Sequence, residues 1–135
     1  MRDDLSVGTS LTRRITVDRE RTIDFMGDEG RVYATPSLIR DIEYACRDLI
    51  FERTPENEDS VGTSVSVIHM APTLMDMDVE ITVTVSGLEG RKVDFEITAT
   101  DPLEQICKGR HQRFIVDVEQ TRQRLLKKAA KVREG

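Results

Sequence analysis

The stretch from residue 61 to 118 decides what this chain can become, because its hydrophobic period is two and its breaks are short. Met77, Val79, Ile81, Val83 and Val85 alternate with Asp78, Glu80, Thr82, Thr84 and Ser86. That is the pattern of a strand with one face in a core and the other in water. Residues 61–70 alternate likewise, with Val61, Val65, Val67 and His69 assigned to the core side. Val93, Phe95, Ile97 and Ala99 alternate with Lys92, Asp94, Glu96 and Thr98, and a last long strand is expected over 104–118. Pro72, a hairpin turn at 87–90 and Asp101-Pro102 separate these strands. Consecutive strands joined by turns form an antiparallel sheet, whose apolar face must be covered.

The cover is expected upstream. Over residues 36–52 Ile39, Cys46 and Ile50 form a stripe at helical spacing, and Leu38, Ile42 and Leu49 widen it. Arg40, Asp41, Arg47 and Asp48 fall on the flank or the far side. Pro36 suits a first helical turn, and Thr35 before it is expected as the N-cap. Short strands are expected at 11–17 and 22–25, an approach segment at 31–34, a loop at 54–60 and a terminal helix at 119–132. This order predicts an α+β fold: an antiparallel sheet wrapped around one long central helix, with a short C-terminal helix. The hot-dog fold fits that description. A helix-grip fold competes, but it usually places its long helix at the end of the chain. With 135 residues, the expectation is a single domain over 1–135.

The chain has no Trp and 4% aromatic residues, so its core must be aliphatic and thin. That predicts burial completed by a homodimer, possibly a tetramer. A net charge of −5 argues against nucleic acid as the main partner. The one basic stretch holds Arg122, Arg124, Lys127, Lys128, Lys131 and Arg133. It reads as a solvated helix face, or more sharply as a weak site for a phosphorylated ligand. Cys46 and Cys107 stand far apart and outside any metal-ligand spacing, so no metal and no cofactor are expected, and both thiols read as reduced. No apolar run resembles a signal peptide or reaches the roughly 20 residues that span a bilayer. A soluble, cytoplasmic protein with no membrane partner is expected.

Three polar residues interrupt this pattern. Glu43 projects within about 40° of Ile39, inside the apolar sector of the helix. A carboxylate there must be paired, protonated or used. His69 shares the core parity of its strand, and Thr35 lies on nearly the same side of the helix two turns before Glu43. Each alone has an ordinary structural reading, as ion pair, core histidine and N-cap. Together they form general acid/base apparatus beside the free N–H groups of a helix start.

The segments Ala34-Thr35, Glu43-Tyr44-Ala45-Cys46, Gly62-Thr63 with His69, Ala71 and Thr73, and Gly109-Arg110-His111-Gln112-Arg113 together resemble the fluoroacetyl-CoA thioesterase group of hot-dog proteins. The likeness covers most of the chain. It implies catalytic roles for Thr35, Glu43 and His69 in hydrolysis of an acyl-CoA thioester, with coenzyme A entering as part of the substrate. Two departures affect substrate choice. The segment between Phe25 and Tyr33 looks shorter and less aromatic than the family's lid, and bulky Leu74 and Met75 replace a Gly-containing turn near His69. Met75 is therefore a candidate for substrate contact. Arg113 is a second, able to pair with an acid or meet a phosphate, whereas His111 reads as structural. The expected activity is hydrolysis of small or medium acyl-CoAs. The alternatives are a non-catalytic module binding acyl-CoA or an acyl carrier, and an acyl-CoA hydratase or dehydratase on the same fold.

Overall fold

The computed structural model describes residues 5–135. Strands β1 (Ser10–Thr16), β2 (Thr22–Ile23) and β3 (Val32–Tyr33) precede helix α1 (Thr35–Phe51). Strands β4 (Glu58–His69), β5 (Asp78–Glu89), β6 (Lys92–Thr100) and β7 (Gln105–Asp117) follow, then helix α2 (Val118–Glu134). β2 pairs with β3 in a two-stranded ribbon. The other strands form one sheet in the order β1-β5-β6-β7-β4, every pairing antiparallel. The alternation in β5 and β6 has its expected result: Val79, Ile81, Val83, Val93, Phe95, Ile97 and Ala99 are all buried. α1 lies across this face and buries Leu38, Ile42, Ala45, Cys46, Leu49 and Ile50. Sealing each Leu or Ile contributes about 1.5–3 kcal/mol, so this interface is the main source of stability.

The hot-dog architecture is as expected, with local differences that bear on the site. β4 begins at Glu58, inside the stretch expected as a loop, because Glu58 to Ser60 pair with Ile115 to Asp117. β5 and β6 run into the expected turn at 87–90, so the reversal narrows to Gly90 and Arg91. Gly90 has φ 59, the left-handed region that glycine enters without penalty.

Val61 is not on the core side. The ladder shifts register between Gly62 and Ser64, and a bulge residue reverses the facing of everything on one side of it. Val61 opposes Phe114 on the outer face, and both are 43% exposed. Past the bulge, Val65 opposes buried His111 and His69 opposes buried Cys107. Val65, Val67 and His69 thus lie on the helix side.

β4 is also an edge strand. Residues 61–66 form an unbroken exposed run along it, and its outer row of backbone groups has no strand beside it among the described residues. α2 buries none of its residues. No helix among the described residues is long and apolar enough to cross a membrane.

Candidate active site

The structure brings Thr35 and His69 together. Thr35 was expected as the helix cap, but Ala34 holds that position and makes no side-chain cap hydrogen bond. Thr35 is the first helical residue, and its Oγ1 lies 2.8 Å from His69 Nδ1. The hydroxyl is drawn off the helix end by the imidazole, and the first N–H groups of α1 are left without a side-chain acceptor. His69 is half-buried at the end of β4. Its Nε2 is buried and has no hydrogen-bond partner among the described residues. Burial holds the imidazole below its ordinary pKa, because desolvation disfavours the charged ring. His69 is thereby kept neutral and basic toward a proton donor near neutral pH.

A groove of about 600 Å³ opens over this pair. Its other walls are almost entirely apolar: Ile23, Phe25, Val32, Tyr33, Pro36, Met70, Ala71 and Pro72. Phe25 stands at the rim, 83% exposed. The segment carrying it is braced from below. Arg31 Nε donates to Asp28 Oδ1 at 2.9 Å, Arg19 Nη2 donates to the same oxygen at 3.0 Å, and Arg31 Nη1 donates to Thr22 Oγ1 at 3.1 Å.

Glu43 sits in an adjoining groove of about 540 Å³, lined by Pro36, Ile39, Arg40, Tyr44, Arg47 and Arg113. Pro36 is common to both grooves. Glu43 is half-buried, not sealed. The helix turns its buried face toward Leu38, Ile42 and Cys46, and Ile39 and Glu43 fall at the edge of that face. No hydrogen bond or ion pair engages the Glu43 carboxylate among the described residues. It faces β4 at Gly62, where an added Cβ would stand 3.6 Å from Glu43 Oε2 and 3.2 Å from His111 Cε1.

Arg113 is 4% exposed and tied into the sheet. Its Nε donates to Ser60 Oγ at 2.7 Å, Nη2 to Ser60 O at 2.7 Å and Nη1 to His111 Nε2 at 3.1 Å. His111 Nδ1 in turn donates to Ser64 O at 2.9 Å. These bonds fix His111 as the neutral Nδ1–H tautomer, and burial lowers its pKa. His111 is thus a satisfied structural histidine, as expected. Arg113 borders the Glu43 groove, with three of its five N–H donors engaged by Ser60 and His111, and presents positive charge to Glu43. Met75 does not line the groove above His69. Its N–H donates to Arg31 O at 3.2 Å, and it is Leu74 that bridges to the lining residue Val32.

The sequence reading assigned Asp41 to the flank of α1, yet Asp41 is 6% exposed and fully engaged. Arg21 Nε donates to its Oδ2 at 2.9 Å, Arg21 Nη2 to its Oδ1 at 3.2 Å, and the Tyr33 hydroxyl to Oδ2. A helical wheel drawn on α1 alone omits these partners, which come from the segment before the helix. Phe25, Ile23 and Met70 were missed as groove residues for the same reason. Only the likeness of the segment between Phe25 and Tyr33 to the family's lid hinted at a rim.

The chain is similar to known proteins over most of its length. The family described as fluoroacetyl-CoA-specific thioesterase matches residues 17–119. A curated fluoroacetyl-CoA thioesterase from Streptantibioticus cattleyicolor is 27% identical over 126 residues, 88% of this chain and 91% of its own length. A crystallised mutant of the fluoroacetyl-CoA-specific thioesterase superposes with a TM-score of 0.85 at 25% identity, covering 94% of this chain and 99% of that one. A thioesterase superfamily member from Thermus thermophilus superposes at 0.89 with 24% identity, over 98% and 99% of the two chains, a likeness of fold.

Proposed function

The chain belongs to the fluoroacetyl-CoA-specific thioesterase family and is an acyl-CoA thioester hydrolase; we propose that it acts on small or medium acyl groups, with Thr35, Glu43 and His69 performing the chemistry. The observation that carries this reading is the 2.8 Å contact between Thr35 Oγ1 and His69 Nδ1 at the start of an uncapped helix, with Glu43 two turns further along that helix. The thioester carbonyl lies at the N-terminus of α1. Free N–H groups and the positive end of the helix dipole there stabilise the oxyanion as it forms, and Thr35 Oγ1 adds a donor. Glu43 attacks the carbonyl carbon to form an acyl-Glu43 anhydride that water then hydrolyses, or deprotonates a water that attacks the carbonyl directly. His69 exchanges the proton through the Thr35 hydroxyl. The C–S bond breaks as the oxyanion collapses, and the thiolate leaves without strong acid assistance. Coenzyme A takes part only as the leaving half of the substrate, and neither a cofactor nor a metal is required.

We further propose that the working unit is a cytoplasmic homodimer. Two exposed β4 edges pairing antiparallel about the middle of the 61–66 run would cover the outer row of backbone groups, which otherwise invites aggregation. The two free, buried thiols at Cys46 and Cys107 suit a reducing compartment. Sedimentation at micromolar concentration is expected to give a dimer, and a stable, fully active monomer would reject it.

A panel of acyl-CoAs tests substrate choice. An apolar groove distinguishes neighbouring chain lengths by only about 1–3 kcal/mol per methylene, so kcat/KM is expected to vary gradually between acetyl-, butyryl- and hexanoyl-CoA. No special preference for fluoroacetyl-CoA is expected, because the segment behind Phe25 is short and Phe25 is its single aromatic before Tyr33. A steep preference for fluoroacetyl-CoA over acetyl-CoA would overturn this part of the reading. Hydration of an enoyl-CoA in place of hydrolysis would move the chain to the hydratase class.

A further inference from the structure

The hydrolytic reading makes no use of Tyr33, Asp41 or Arg21, yet these residues form a polar cluster behind the groove wall, with Arg21 partly exposed and the other two buried. Tyr33 is 1% exposed and Asp41 6%. Both Asp41 oxygens are taken, Oδ1 by Arg21 and Oδ2 by Arg21 and the Tyr33 hydroxyl. Arg21 is held in place by Asp18, whose Oδ2 accepts from Arg21 Nη1 at 2.6 Å. Tyr33 is fixed at its other end by its backbone, with its N–H donating to Thr73 O at 2.8 Å. A ring pinned at backbone and hydroxyl has nowhere to slide. That ring stands edge-on to the His69 imidazole, with centroids 6.4 Å apart and planes at 83°.

We infer that Arg21, Asp41 and Tyr33 are positioning residues that fix the plane of the His69 imidazole and so keep Nδ1 on Thr35 Oγ1. His69 needs such a constraint. Its ring is held by one hydrogen bond, to Thr35, and Nε2 has no partner. The terminal torsion of a histidine is broad and roughly two-fold, so the ring can turn over and exchange Nδ1 for a carbon unless its neighbours forbid it. Phenylalanine at 33 and leucine at 41 would fill the same space without burying a carboxylate. Buried ion pairs contribute little net stability against well-packed apolar replacements, and their best-attested use is to specify one geometry over another. The cluster also spans the segment before the helix and the helix itself, so it sets the groove wall and the imidazole together.

The inference rests on the hydrolytic reading, and the double variant Tyr33→Phe/Asp41→Leu tests it. Arg21 keeps Asp18 and partial exposure, so the variant is expected to fold with an unfolding temperature equal to or above that of the parent. Its kcat is expected to fall about tenfold with KM little changed, because misplacing a catalytic group by a fraction of an ångström costs rate, not binding. In ¹⁵N-edited NMR the His69 ring is expected to pass from one hydrogen-bonded tautomer to a mixture. A folded double variant with parental kcat and an unchanged His69 signal overturns the inference. Should the double variant not fold, Tyr33→Phe alone keeps the ring and the Arg21–Asp41 pair, and a smaller loss in the same direction is expected; parental values there overturn it equally. The His69 signal needs no turnover. If the parent protein hydrolyses no acyl-CoA but the signal still changes, the hydrolytic reading fails and the positioning role stands.

Discussion

Glu43→Gln and His69→Ala are expected to remain folded while losing hydrolysis by about 10²–10⁴-fold, the usual contribution of a general acid or base. The retained fold follows from where the two side chains lie. Glu43 is half-buried at the edge of the packed face of α1, and glutamine preserves its shape while removing its charge. His69 shares its hydrogen bond with Thr35, whose exposed hydroxyl finds water once the ring is gone. The lost rate follows from the proposed chemistry: glutamine neither attacks a thioester nor accepts a proton from water, and alanine leaves Thr35 without its proton partner. Thiol release on the best substrate, compared with a thermal unfolding curve for each variant, checks both halves. Parental kcat/KM in both variants would remove Glu43 and His69 from the mechanism.

Gly109→Ala is expected to have the largest effect on stability. Gly109 lies in β7 opposite Val67 of β4. A Cβ added there would stand 2.3 Å from Ser66 O and 2.8 Å from Val67 Cα. Both are backbone atoms, so no side-chain rotation relieves the collision, and β4 must move away from β7. Overpacking of this kind costs about 3 kcal/mol or more, which at this chain length lowers the unfolding temperature by roughly 10 °C or more. β4 carries His69 at its end, so activity is expected to fall at temperatures where the variant is still folded. Thermal denaturation followed by circular dichroism decides this, and a parental unfolding temperature would mean that the β4–β7 ladder yields more easily than its geometry indicates.

The regular parts of the fold were legible because local pattern and tertiary environment agree there. β5 and β6 alternate cleanly and are buried on one side, and α1 carries its apolar stripe and its Pro36 start. The misreadings share a physical origin in contacts between distant segments. Val61 was placed on the wrong face because alternation cannot register the bulge at 62–64, which exists only in the pairing with β7. Asp41 was assigned to the flank or far side of α1 because its partners Arg21 and Tyr33 come from ahead of the helix. Thr35 looked like a cap because Ser or Thr before Pro usually is one, and only the end of β4 supplies the imidazole that takes the hydroxyl instead. Arg113, expected to pair with an acid or meet a phosphate, lines the Glu43 groove, while its anchors at Ser60 and His111 come from across the ladder and leave no trace in local pattern. The Thr35–His69 contact could be suspected from residue types and parity, but its geometry is a product of the fold.

The most direct measurement is a titration of the intact protein with acetyl- and butyryl-CoA in which binding and free-thiol release are read from the same sample. Saturable binding is expected with many thiols released per protein, falling to near the uncatalysed rate in Glu43→Gln while binding persists. Saturable binding of every acyl-CoA with no thiol released above background would contradict hydrolysis at Thr35, Glu43 and His69 and would make the chain a module that holds acyl-CoA without cleaving it.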